Sequence, residues 1–115
     1  MRINWSEVKI FIKPGVTDMR KQINGLTVLI QEELNHDPFS GNLYLFCNSN
    51  RRRMKIIYWD RNGFCMWLKR LEEDKFPWPK DADECREISE KQLEMLLDGI
   101  NFFNAHKKLH FSAVS

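Results

Sequence analysis

Cysteine is scarce in this chain, and its spacing argues against two classes of small protein. Cys47, Cys65 and Cys85 are odd in number, widely separated and free of any Cys-x-x-Cys pair. That argues against a disulfide framework and against a dedicated zinc site. None of His36, His106 and His110 lies at ligand spacing from a cysteine, so buried or idle thiols are expected and no cofactor is implied. Long apolar runs are missing as well. No stretch approaches the roughly 20 residues of a membrane span, and Met1-Arg2-Ile3-Asn4-Trp5 lacks a signal peptide's apolar core. A cytoplasmic protein without a membrane partner is the expectation.

Catalytic signatures are lacking too. There is no Gly-rich phosphate loop and no Ser/His/Asp or Cys/His signature in a recognisable context. Asp18, Asp37 and Asp60 are the nearest thing to a metal-nuclease triad. They carry little weight among sixteen acids, and Asp18 and Asp60 have local roles at a cap and a turn. A non-catalytic protein is expected.

What is present suits one domain, with a core over about residues 8–100 and a tail over 101–115. A chain of 115 residues can bury a core without metal or disulfide staples. Its 43% apolar and 30% charged residues argue against wholesale disorder. The net charge of +2 hides an asymmetry. Over residues 48–70, Arg51, Arg52, Arg53, Lys55, Arg61, Lys69 and Arg70 stand against Asp60 alone, a balance of +6. Over residues 72–98, ten acids face Lys75, Lys80, Arg86 and Lys91, a balance of −6. These segments either neutralise each other in the fold or make a dipolar surface, one side for a polyanion and the other for a basic protein.

Val8-Lys9-Ile10-Phe11-Ile12 alternates weakly and predicts a strand stopped by Pro14-Gly15. Thr17 or Asp18 then caps a helix to about Leu34, with Met19, Ile23, Leu26 and Ile30 as its apolar stripe. Gly25 inside it costs about 1 kcal/mol against alanine, which marks a close packing contact. Asp37-Pro38 ends this helix. Residues 43–47 form a second strand, and Asn48-Ser49-Asn50 is polar turn material. Residues 54–60 and 64–71 are strands around Asn62-Gly63, the favoured dipeptide of a type I′ hairpin.

With a loop of only Asn62-Gly63, Arg61 faces Phe64 and the two faces of the hairpin follow. One carries Met54, Ile56, Tyr58, Cys65, Trp67, Lys69 and Leu71. The other carries Ile57, Trp59, Phe64, Met66 and Leu68, with Lys55, Arg61 and Arg70 toward the ends. Both are largely apolar, so both need a cover of helix, loop or another chain. Phe76-Pro77-Trp78-Pro79 is an extended edge or connector, and residues 80–87 are a polar linker. Ser89-Glu90-Lys91-Gln92 is a capping box, Ile88 and Leu93 sit at staple spacing, and Gly99 is the C-cap. The fold class expected is α+β: a single small domain, an antiparallel sheet of about four strands and two main helices.

Several pieces recur together: Thr17-Asp18-Met19-Arg20-Lys21, Gly25-Leu26, Asp37-Pro38-Phe39-Ser40-Gly41, Lys55-Ile56-Ile57-Tyr58-Trp59-Asp60, Lys69-Arg70-Leu71-Glu72, Phe76 with Trp78-Pro79, and Gln92-Leu93. In this order and spacing the chain resembles the TnpB-type accessory protein of the IS-sixty-six class of bacterial insertion sequences, the product of their second, short reading frame. Gln22-Ile23 and Arg61 depart from the family pattern. The resemblance implies a small companion of a separate, larger transposase, with no established catalytic role. It is distinct from the longer RNA-guided nucleases that share the name TnpB.

Arg51, Arg52, Arg53 and Lys55 are the leading candidates for nucleic-acid binding. Clustered cations beside Tyr58, Trp59 and Trp67 suit phosphate contact, with the aromatics positioning the strand or stacking on unpaired bases. The structural alternative is a solvated hairpin loop with core aromatics. Arg20 and Lys21, at a helix start, combine with free N–H groups into an anion site, unless Asp18 pairs with one of them. Lys69 and Arg70 extend the surface if the sheet brings them near. DNA and the element's transposase are the expected partners.

Overall fold

Apolar side chains on both sides of one strand set the layering. The computed structural model describes residues 3–80 and 86–100. The expected tail, Cys85 and the middle of the expected linker lie outside the described residues. In chain order the elements are β1 (Ile10–Ile12), α1 (Ile23–Glu32), β2 (Leu43–Cys47), β3 (Arg53–Asp60), β4 (Gly63–Arg70), β5 (Arg86–Ile88) and α2 (Glu90–Leu97). All five residues of β2 are buried. Successive side chains of a strand point to opposite faces, so a fully buried strand needs a layer on each side.

Those layers are the two helices. Leu43, Leu45 and Cys47 share a core with Ile10, Ile12, Met54, Ile56 and Ile88, closed by Leu93 and Leu96 of α2 and by Phe76 and Trp78. Tyr44, Phe46 and Ile57 pack on the other side against Leu26 and Ile30 of α1. The cover expected on both hairpin faces is supplied within this chain along β3, while on β4 Trp67 and Leu68, one on each face, stay 51% and 54% exposed. Phe76-Pro77-Trp78-Pro79 is a connector rather than a strand, and Phe76 is fully buried. Among the described residues no helix is long and apolar enough to cross a membrane.

The α+β class holds, but the sheet differs in two respects from the antiparallel four-stranded expectation. It has five strands in the order β4-β3-β2-β1-β5, and β1 runs parallel to β2. A parallel pair needs a long crossover, which α1 and its flanking loops supply. The added strand, β5, pairs antiparallel with β1 in the segment expected to be linker. Two of its three residues are exposed, so no alternation marked it.

The hairpin register also moves. Asp60 pairs with Gly63 and Trp59 with Phe64, so the turn residues are Arg61 and Asn62. The left-handed conformation falls on Arg61, at φ 51°. Relative to the expected pairing each partner shifts by two positions. An even shift leaves every side chain on its face, so the face assignments stand.

Helix α1 starts at Ile23, later than expected. Its N-cap is Gln22, with no side-chain cap, because Asp18 is used in a local turn with Arg20 instead. Gly25 does mark a close contact: a Cβ there would sit 3.2 Å from Cβ of Lys21. Helix α2 follows its sequence signals closely. The Ser89 hydroxyl accepts from the Gln92 N–H while the Gln92 side chain accepts from the Ser89 N–H. Gly99, at φ 76°, donates to the Leu96 carbonyl, and Ile100 donates to that of Met95. This is a Schellman end.

Truncating Phe76 removes a ring from the closed core, whereas Trp67 is 51% exposed on the edge strand. Phe76→Ala is expected to destabilise by about 3–5 kcal/mol and Trp67→Ala by less than about 1.5 kcal/mol. Chemical denaturation of both variants checks the contrast.

Candidate nucleic-acid interface

The basic run begins in a turn held by two asparagines, with Asn50 Oδ1 accepting from the Arg52 N–H at 3.0 Å. The Asn48 side-chain Oδ1 accepts from the backbone N–H groups of Arg52 and Arg53, at 3.2 and 3.1 Å. Arg51 closes the turn, its N–H donating to the Asn48 carbonyl, and takes φ 60°. That left-handed conformation is unfavourable for a residue other than Gly, Asn or Asp. The connector and the end of β4 lock the same turn from behind, with the N–H of Phe76 on the Arg51 carbonyl and that of Leu71, just after the strand, on the Arg52 carbonyl.

A second loop, residues 13–21, is tied alongside. The Thr17 N–H donates to the Cys47 carbonyl at 2.7 Å, and the Gly15 N–H to the Pro79 carbonyl at 2.9 Å. Trp78 Nε1 donates to the Lys13 carbonyl at 2.9 Å. The far end is held by Lys55, only 6% exposed, whose Nζ donates to the carbonyls of Met19 and Lys21, both at 2.8 Å. Burial pulls the Lys55 pKa below the usual lysine range, and the neighbouring Asp18 carboxylate opposes that shift.

Asp18 pairs with Arg20, the structural alternative weighed above. Its Oδ1 accepts from the Arg20 backbone N–H at 2.9 Å, and its Oδ2 from Arg20 Nη2 at 2.7 Å. Hydrogen bonds from the Arg20 side chain, then from its backbone, hold the Asp18 pKa down to about 2. The Arg20 side chain remains 92% exposed.

Two depressions lie between these loops. One, of about 540 Å³, is lined by Thr17, Asp18, Arg20, Asn48, Ser49 and Arg53 among others. The second, of about 270 Å³, is lined by Gly15, Val16, Ser49, Arg51, Trp78 and Lys80 among others. Val16 and Ser49 belong to both, so the depressions adjoin. Val16 is 60% exposed there. The fold thus gathers Arg20, Arg51, Arg53 and Lys80 from three stretches of the chain onto one surface. Val16, Asn48, Ser49, Trp78 and Lys80 were missed as site residues. Asn48-Ser49 was legible as a turn, but nothing local signals that residues 15–17 and 78–80 come to its side.

The remaining candidates go elsewhere. The Lys55 ammonium is spent inside, on the two loop carbonyls. Lys69 lies on the α2 side of the sheet, where its Nζ donates to the Leu97 carbonyl at 2.8 Å. A cation is favourable at that helix end. Arg52 Nη1 donates to the Glu72 carbonyl, and Arg70 pairs with the Glu72 carboxylate at 2.7 Å. Lys21 is exposed but precedes α1, so it does not stand in a helix's first turn. Arg51 and Arg53 have no side-chain hydrogen bond or ion pair to the described residues.

Tyr58, Trp59 and Trp67 are not beside Arg51 and Arg53. Trp59 is six residues along β3 from Arg53, roughly 20 Å away, and packs edge-on against Phe39 and Phe64. Trp67 pairs with Ile56, on the face opposite Arg53. The aromatic residue at the basic surface is Trp78, which is 7% exposed. Asp18, Asp37 and Asp60 are used locally or stand apart: Asp37 accepts from the Phe39 N–H, and Asp60 ends β3. Among the described residues no three His, Cys, Asp or Glu side chains form a metal-holding group.

Because folding lowers the Asp18 pKa from 3.8 to about 2, its ionised form is favoured by the native state. Its contribution to stability is present above pH 3.8 and is lost as pH falls toward 2. Carboxyl titration by NMR is expected to give a midpoint near 2, returning toward 3.8 in Arg20→Gln. Lys55→Met leaves the Met19 and Lys21 carbonyls without their donor. It is expected to lower stability by about 1.5–3 kcal/mol, measured by denaturant unfolding.

Comparison with known proteins accounts for the motifs. The family model described as IS66 Orf2 like protein matches residues 8–107. The uncharacterized protein y4hO of Sinorhizobium fredii is 37% identical over 95 residues, covering 83% of this chain and 83% of its own. The uncharacterized protein y4jC of the same organism is 29% identical over 101 residues, covering 88% of this chain and 86% of its own. No solved structure matches. The chain belongs to the IS66 Orf2-like family and is an accessory protein of insertion-sequence transposition.

Proposed function

We propose that this accessory protein is non-catalytic and contacts DNA through the surface formed by Arg20, Arg51, Arg53 and Lys80. The observation that supports this most is the state of Arg51 and Arg53. They flank adjoining depressions, and their guanidinium groups have no partner among the described residues. Other cations of the same run are engaged with carbonyls or carboxylates. Guanidinium groups left free beside a concave surface suit phosphate oxygens, whose contact releases counterions. The left-handed Arg51 adds weight: strained backbone tends to persist where a side chain serves a site.

A second reading, an adaptor that meets the transposase, draws on a different surface. Trp5, Tyr58, Trp67, Leu93 and Leu97 line an apolar groove of about 320 Å³ rimmed by Glu90 and Glu94. Those chemistries suit a basic amphipathic segment of a protein partner. Co-purification of the transposase after nuclease treatment, lost in Trp67→Glu, supports this reading; unchanged capture by that variant counts against it.

For DNA contact, Arg51→Gly is informative because glycine accepts φ 60° without strain. Arg51→Gly/Arg53→Ala is expected to keep the fold, weaken DNA binding and flatten the salt dependence by roughly two units of log–log slope. Binding to element-end DNA and random DNA is measured across a salt series. An unchanged affinity and slope in the folded variant would remove this surface from the function.

A further inference from the structure

We infer that the larger depression, between the Thr17–Arg20 loop and the Asn48–Arg53 turn, is a discrete oxyanion subsite that seats a single phosphate group. It deepens the DNA-contact reading and rests on it for the source of that phosphate. The depression is rich in donors that lack acceptors. Arg53 has no partner among the described residues. Asn48 uses its Oδ1 on two backbone N–H groups, which fixes its amide orientation and leaves the Nδ2 hydrogens to donate elsewhere. Ser49 adds a hydroxyl at the junction with the second depression.

Thr17 supplies an independent observation. It lines the same depression, is 6% exposed, and its Oγ1 is the buried side-chain atom left without a hydrogen-bond partner among the described residues. A buried hydroxyl without a partner is unfavourable and rare in native proteins. The Oγ1 is closed to solvent as placed, so an oxyanion seated against this wall satisfies it once the Thr17 side chain rotates about χ1 toward the depression. Among the described residues that line it the one acidic group is Asp18, already paired with Arg20, so their balance is set by Arg53 and by Arg51 next door. The pairing also holds the Arg20 guanidinium at the rim, most of its side chain in solvent.

The test titrates the full chain with inorganic phosphate, against sodium chloride at matched ionic strength, while backbone amide shifts are followed by NMR. A saturable change centred on residues 16–20 and 48–53, absent with chloride, is expected. Arg53→Ala is expected to weaken phosphate binding at least tenfold and Thr17→Val about fivefold. Thr17→Val should also raise the unfolding midpoint in phosphate-free buffer, because it removes the orphan hydroxyl at constant shape. A structural threonine would show the opposite, with stability falling and phosphate affinity unchanged. Non-saturating shifts, equal shifts with chloride, or unaltered phosphate affinity in Arg53→Ala or Thr17→Val overturn the subsite.

Competition between a 5′-phosphorylated and a 5′-hydroxyl oligonucleotide of one sequence then identifies the source. A tenfold advantage for the phosphorylated strand assigns a terminal phosphate, and equal competition with both displacing inorganic phosphate assigns a backbone phosphodiester. Displacement by neither overturns the link to nucleic acid. Salt-dependent DNA binding that persists without phosphate saturation leaves the DNA reading standing and sinks the subsite alone.

Discussion

The ammonium of Lys55 is the point at which sheet, loop and candidate site meet. It is buried on a central strand, and it is tolerable there because two backbone carbonyls, those of Met19 and Lys21, accept its hydrogens. A buried charge without such partners is strongly unfavourable. The same two bonds hold residues 19–21 out of the helix that follows, so α1 begins at Ile23. They also leave Asp18 to fold back on Arg20 and set that pair beside the turn carrying Arg53. One lysine that looked like part of a phosphate-binding cluster is the strut that positions the cluster's accessible members.

Charge in this protein is therefore divided by task rather than by position in the chain. The run from Arg51 to Arg70 places Lys69 on the end of α2 and Arg52 and Arg70 on Glu72. Among the described residues one ion pair, Arg70 with Glu72, joins these neighbouring segments of opposite sign. Arg51 and Arg53, joined in space by Arg20 and Lys80, keep their charge without a partner among the described residues. The thiols follow the same logic of placement. Cys47 lies in the core, where burial pushes its pKa up to about 12, so it is a packing residue and not a reactive one.

Much of the fold was legible because its signals are local. Ser89 and Gln92 satisfy the first N–H groups of α2 within one turn, and Gly99 satisfies its last carbonyls. The hairpin's faces were also legible although its register was not: side chains alternate with a period of two, and a slip of two positions preserves them. The turn itself misled, since Asn62-Gly63 is the better turn dipeptide and the left-handed residue is Arg61. β5 was illegible for the reverse reason. Its three residues pair only because β1 offers an edge, and nothing in Arg86-Glu87-Ile88 announces that.

The candidate site divides in the same way. Composition and order in the sequence determined the family, the α+β class, the apolar character of both hairpin faces and the presence of clustered arginines. Each of these depends on residue type and short-range spacing. Only the tertiary structure decided which cations are accessible, that Trp59 stands far from Arg51 and Arg53, and that Thr17, Asn48 and Ser49 line a depression with Arg20 and Arg53. The physical reason is that accessibility depends on partners distant in the chain. The bond from the Thr17 N–H to the Cys47 carbonyl, and those from Lys55 to Met19 and Lys21, exist only once the sheet has formed.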